Sequence, residues 1–71
     1  MGYLLVKFVE SRHVIINNID TGQHTDEVIE LEGGHHDITL SGHKNFVPET
    51  QSIILQNSTA LEPMEVSFAK K

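Results

Sequence analysis

Cysteine is absent from the chain, which removes disulfides, thiolate metal sites and cysteine nucleophiles together and leaves packing as the source of stability. Tryptophan is also absent, and proline occurs only twice. Basic residues are few: Lys7, Arg12, Lys44, Lys70 and Lys71 stand against ten acidic residues, for a formal charge of -5. Apart from the terminal pair they are scattered, whereas a nucleic-acid surface needs clustered Lys and Arg to displace phosphate counterions. Nucleic acid is therefore not expected as a partner. Long hydrophobic runs are missing as well. The apolar start, residues 3–8, is interrupted by Lys7 and falls far short of a secretory signal's apolar region or of the ~20 residues a helical span needs. No membrane insertion is expected. Gly2 follows Met1, but Val6 occupies the place where a myristoylation signal carries Ser or Thr.

What remains is ordinary globular usage, with 38% hydrophobic and 21% charged residues in 71. That mixture is too apolar for a disordered chain. The length suits one small domain that buries roughly 60% of its unfolded surface. Apolar residues recur with a period of two and are mostly β-branched, so strands are expected nearly throughout. Leu4, Val6 and Phe8 alternate with Tyr3, Leu5, Lys7 and Val9, predicting a first strand that ends near Glu10. Val14, Ile15 and Ile16 make a second, and residues 17–22, rich in Asn, Asp and Gly, read as a hairpin loop. Further strands are expected at residues 27–32, 36–41, 51–56 and 64–68, with Gly33-Gly34 and Asn57-Ser58-Thr59 as turns and residues 42–48 as a looser crossover. Six or seven short strands with turns every eight to twelve residues predict an all-β fold, a small antiparallel β-sandwich occupying residues 1–71 as one domain. Its core is expected to be Leu4, Val6, Phe8, Ile16, Ile29, Leu31, Ile38, Leu40, Ile53, Leu55, Val66 and Phe68.

The spacing of turns and core positions from Val14 to Phe68 resembles the PEGA domain, a small bacterial β-sandwich module of surface and envelope proteins. Ile16-Asn17-Asn18 stands at the family's strand and Asp-Gly turn, with Gly22 at its second glycine. Gly34-His35-His36-Asp37-Ile38-Thr39-Leu40 matches its glycine, histidine and two apolar positions, and Asn45-Phe46-Val47-Pro48 is similar to its Gly-Tyr-x-Pro element. The tetrapeptide that names the family is replaced by Glu10-Ser11-Arg12-His13. The resemblance implies a non-catalytic binding or spacer module, with carbohydrate or neighbouring protein domains as partners and no catalytic residue or cofactor. It implies the cell envelope or the outside of the cell if the domain is part of a longer chain; a complete chain would be cytoplasmic.

Five histidines, His13, His24, His35, His36 and His43, are the unusual feature of the composition. His35 and His36 are adjacent on a strand and point to opposite faces. His36 shares parity with Ile38 and Leu40, which predicts a half-buried ring bonded to backbone. His35 and Asp37 share the outward face, and a zinc or nickel site would form there if His43 or His24 folded back beside them. This is the alternative function, a His-rich metal-binding or pH-responsive domain, since protonating all five rings would carry the formal charge from -5 to 0. Ser41-Gly42-His43 lacks the orienting acid of a nucleophilic site, and Glu30 and Glu32 lie at i, i+2 on a wet strand face. Asp20 and Asp26, near Asn17 and Asn18, lack the ligand order of a calcium loop and fit an Asx turn. No catalytic, cofactor-binding or metal-ligating residue is assigned from the sequence. A third expectation concerns assembly: a monomer, or a weak homodimer paired along the long apolar first strand, whose outward side keeps Leu5 and Val9.

Overall fold

The structure, a computed structural model, describes residues 2–71. The described chain is all-β: β1 (Gly2–Lys7), β2 (His13–Ile16), β3 (Ile19–His24), β4 (Val28–Leu31), β5 (Gly34–Leu40), β6 (Phe46–Val47), β7 (Gln51–Leu55), β8 (Met64–Ser67) and β9 (Ala69–Lys70). A three-stranded sheet in the order β4-β1-β8 lies against a four-stranded sheet in the order β3-β2-β5-β7, and β6 and β9 form a separate pair. Side chains from both main sheets and from Phe46 make one apolar cluster. The radius of gyration, 11.1 Å, matches the roughly 11 Å of a packed chain this long, so the connecting loops lie back on the sheets.

The alternation seen in the sequence sets which face is buried. Along β1, Leu4 and Val6 have no exposed surface, while Tyr3 and Leu5 are half-buried. Every expected core position is buried except Leu31, which is half-buried against the cluster. Two residues join the core beyond those expected. Val14 has the parity of Ile16 on β2, a fact obscured by the unbroken Val14-Ile15-Ile16 run, and Phe46 comes from the segment read as a loose crossover.

Several details differ from expectation, and each has a structural cause. The first strand stops at Lys7, because Asp26 and Phe68 take the Val6 and Lys7 carbonyls from loop positions. The hairpin loop shrinks from residues 17–22 to Asn17-Asn18, since Ile16 faces Ile19 and both asparagines hold positive φ (53° and 67°), as a two-residue turn of the right hand requires. Residues 19–24 are therefore an edge strand, despite their polar composition. Strand β1 is central, with β4 antiparallel on one side and β8 parallel on the other. Among the described residues the β1–β8 pair is the single parallel pairing among otherwise antiparallel ladders, made by strands too distant in sequence to be joined by a tight turn. Both sides of β1 are thus paired within the chain. The strands at the sheet margins are β3, β4, β7 and β8.

One glycine is set by close approach. A Cβ on buried Gly2 would lie 2.7 Å from the Gln56 carbonyl oxygen and 2.9 Å from the Leu55 side chain, so the start of β1 crosses the end of β7 only because that side chain is missing.

Candidate functional site

The histidines separate into distinct settings. His36 is half-buried, as expected; its Nε2 lies 2.8 Å from the Glu32 carbonyl oxygen and its Nδ1 lies 3.1 Å from the Asn17 amide nitrogen. His35 stands exposed beside Asp37, with Nε2 3.5 Å from a carboxylate oxygen. No other histidine joins them. His43 follows the opposite end of β5, where its carbonyl accepts a hydrogen bond of 2.9 Å from Arg12, and His24 is on β3, beyond β2. The structure instead puts His24 beside His13. They are cross-strand partners with ring centroids 4.7 Å apart and planes at 82°.

Residues that suggest catalysis are used for structure. The Ser41 hydroxyl accepts from the His13 amide at 3.0 Å. Ser52 donates to Asp37 at 2.7 Å, and Asp37 in turn neighbours His35, so the carboxylate sits between hydroxyl and imidazole. A nucleophilic relay needs the imidazole in that middle position. Glu30 accepts from the Tyr3 hydroxyl at 3.0 Å, which raises the Tyr3 phenol above its ordinary value, by that hydrogen bond first and by charge second. Asp20 makes the expected Asx turn, accepting from the Gly22 amide at 2.8 Å. That bond, followed by the one with His13, holds its carboxyl below the usual range.

Two regions carry the remaining polar and apolar organisation. At one corner, Phe46 packs edge-on against both Phe8 and Phe68, at centroid distances of 6.0 and 5.6 Å. Arg12 lies over the Phe8 ring, donates to the Ser41 and His43 carbonyls and to the Asn45 amide oxygen, and pairs with Glu10. Lys70 reaches the other Glu10 oxygen at 2.9 Å. Lys70 first and Arg12 second hold the Glu10 carboxyl at about 2, against an ordinary 4.5. Thr25, the one buried polar residue among those described, ties the loop down by donating to the Glu10 carbonyl at 3.0 Å and accepting from the Arg12 amide at 3.3 Å.

The flank between β7 and β8 has no ladder pairing and is bridged by the Gln51 side-chain amide, which donates to the Ser67 carbonyl at 2.6 Å. The connection from β7 to β8 passes from the margin of one sheet to the margin of the other and arches over a cleft of ≈ 360 Å³. Ile54, Pro63 and Met64 give it an apolar wall; Gln56, Asn57, Ser58 and Glu62 give it hydrogen-bonding groups. The arch is fixed at one point, where the Ser58 hydroxyl accepts from the Tyr3 amide at 2.8 Å and donates to the Tyr3 carbonyl at 3.0 Å. Ile54 is 66% exposed and Leu61, on the arch, 94%. The sequence reading missed this cleft, which is made by the fold of the β7–β8 connection over Ile54 rather than by any motif.

No protein-family model, curated protein or solved structure matches this chain.

Proposed function

We propose that the chain is a non-catalytic binding module, of the kind the PEGA resemblance implies, and that it holds an extended segment of a neighbouring protein or domain at the flank between β7 and β8. What supports this reading is the coincidence of three features: two strands at sheet margins bridged by the single Gln51–Ser67 hydrogen bond, a cleft under their connection, and exposed Ile54 in its lining. An extended peptide satisfies a strand margin through its main chain and fills a cleft with an alternate side chain. A protein segment is favoured over carbohydrate because no aromatic ring lines the cleft to stack against a sugar face. Glu62 in the lining and a chain charge of -5 favour a segment that carries an apolar anchor and a Lys or Arg next to it.

The test is selection of peptides from a displayed random library on the immobilised domain, followed by mapping of the best binder on the amide NMR spectrum. Shifts confined to residues 51–58 and 62–67 support the reading. Peptides that map elsewhere, or binding of soluble glycans with no peptide selected, overturn it.

A further inference from the structure

We infer that His13 and His24 form a two-histidine clamp for a borderline divalent transition ion such as Ni²⁺, Cu²⁺ or Zn²⁺. The site is distant in kind from the peptide cleft and does not rest on it. Its origin is a register shift in the β2–β3 hairpin. Near the turn, Ile16 faces Ile19 and Ile15 faces Asp20; continued unchanged, that register would set His13 opposite Gly22. Two extra residues on β3 bring His24 there instead, and Gly22 absorbs the irregularity with φ of 74°. Insertions of this type re-aim side chains, and here the result is two imidazoles side by side on the outer face of a sheet.

A carboxylate lies beside each ring, and Asp20 orients His13 for coordination, while the Glu27 oxygen near His24 accepts from the His24 backbone amide at 3.2 Å. His13 Nδ1 lies 3.1 Å from Asp20 Oδ2, and His24 Nδ1 lies 3.9 Å from Glu27 Oε1, an ionic approach longer than a hydrogen bond. A carboxylate can only accept, so Nδ1 of His13 carries the ring proton and the Nε2 lone pair is left for a ligand. Carboxylate, imidazole and metal in this order is the usual outer-shell arrangement of histidine metal sites. Asp20 is itself held in place by the Gly22 amide. Both rings are half-exposed, with 44% and 45% of side-chain surface in water, and the His24 ring, whose Nδ1 makes no hydrogen bond, can rotate about χ2 to converge with His13 Nε2 on one ion while the His13–Asp20 bond is kept. Two protein ligands leave the other coordination positions to water, which agrees with the lack, among the described residues, of a third converging ligand. Imidazole donors select this group of ions over Ca²⁺ and Mg²⁺.

The experiment uses the untagged chain titrated with NiCl₂ by calorimetry and with ZnCl₂ by NMR of the ring Cδ2–Hδ2 and amide signals. One saturable equivalent is expected, with the ring shifts largest at His13 and His24. His13→Asn and His24→Asn should each weaken binding about tenfold or more, while His35→Asn and His43→Asn leave it unchanged. Asp20→Asn keeps the Asx turn through its amide oxygen but removes the charge at Oδ2; it should weaken binding by roughly tenfold, with recovery in Asp20→Glu. Dispersed amide spectra for each variant show that folding is intact, and both rings project outward, where replacement disturbs no core contact. Absence of a saturable equivalent in the native chain, unchanged affinity in His13→Asn or His24→Asn, or equal loss in His35→Asn overturns the clamp.

Discussion

The corner built on Phe46 and the flank between β7 and β8 are both places where a sandwich must end, and they end in opposite ways. At the corner, three phenylalanine rings, a guanidinium and two further charges pack together beside a cleft of ≈ 350 Å³ lined by Lys7, Phe8, Val9, Asp26, Ser67 and Phe68, and every buried side-chain polar atom among the described residues has a partner. At the flank, one serine ties down an arch over a cleft, and two large aliphatic side chains face water. The corner spends its interactions on itself. The flank leaves strand margins without ladder pairing and apolar surface exposed, and such surface is what a partner can use. Under the proposed function, binding would fall to the flank, while the aromatic packing of the corner serves stability.

The comparison can be broken most decisively at the corner. Phe46 is 3% exposed and bridges Phe8 and Phe68, so Phe46→Ala should cost roughly 3–5 kcal/mol in chemical denaturation. A cost no greater than that of a surface substitution would show that the aromatic corner is not the stabilising region.

A smaller effect follows from Glu10. Its carboxyl titrates at about 2 in the folded chain against an ordinary 4.5, held down by Lys70 and then by Arg12. The folded value is depressed, so the stabilisation is fully present above about 4.5 and is lost as pH falls through the window down to about 2. The melting temperature of the native chain should fall over that window more steeply than that of Glu10→Gln, and added salt should narrow the difference because the group is reached by solvent. Parallel pH profiles for the two chains would remove Glu10 from the account of the corner.

The least disturbance is expected at the flank. Ile54→Glu should change stability by no more than about 0.5 kcal/mol, since the side chain already faces water, yet it should abolish binding of a peptide mapped to the cleft. A large loss of stability would mean that Ile54 packs as part of the core, and the contrast between the two regions would fail.

Much of the corner's core was legible in the sequence, because Phe8 and Phe68 fall on clear alternating runs. Phe46 was not, since it lies in a short irregular segment whose pairing with β9 depends on a residue pair 24 positions away, Phe46 with Lys70. The strand Ile19–His24 was also hidden. Its sequence, IDTGQH, is polar and carries a glycine, and it is extended only because β2 supplies a template beside it. The Asn17-Asn18 turn was visible as turn chemistry, but the register it starts, and the two extra residues that bring His24 to His13, cannot be counted without knowing where pairing resumes. The sequence had grouped His35 with His24 or His43, a grouping that depended on a fold-back that does not occur.

The amino-acid order alone determined the all-β character, the inward and outward faces of most strands, the turn chemistry of Asn17-Asn18 and the backbone-bonded state of His36. Each of these follows from interactions within a few residues, where a period of two and the φ preferences of Asn and Gly act directly. Only the tertiary structure decided that β1 is a central strand paired in parallel with β8, that β7 and β8 have no ladder pairing between them, and that His13 meets His24. Those outcomes are choices among strand partners of equal local quality, and they are settled by how the two sheets close over one shared core.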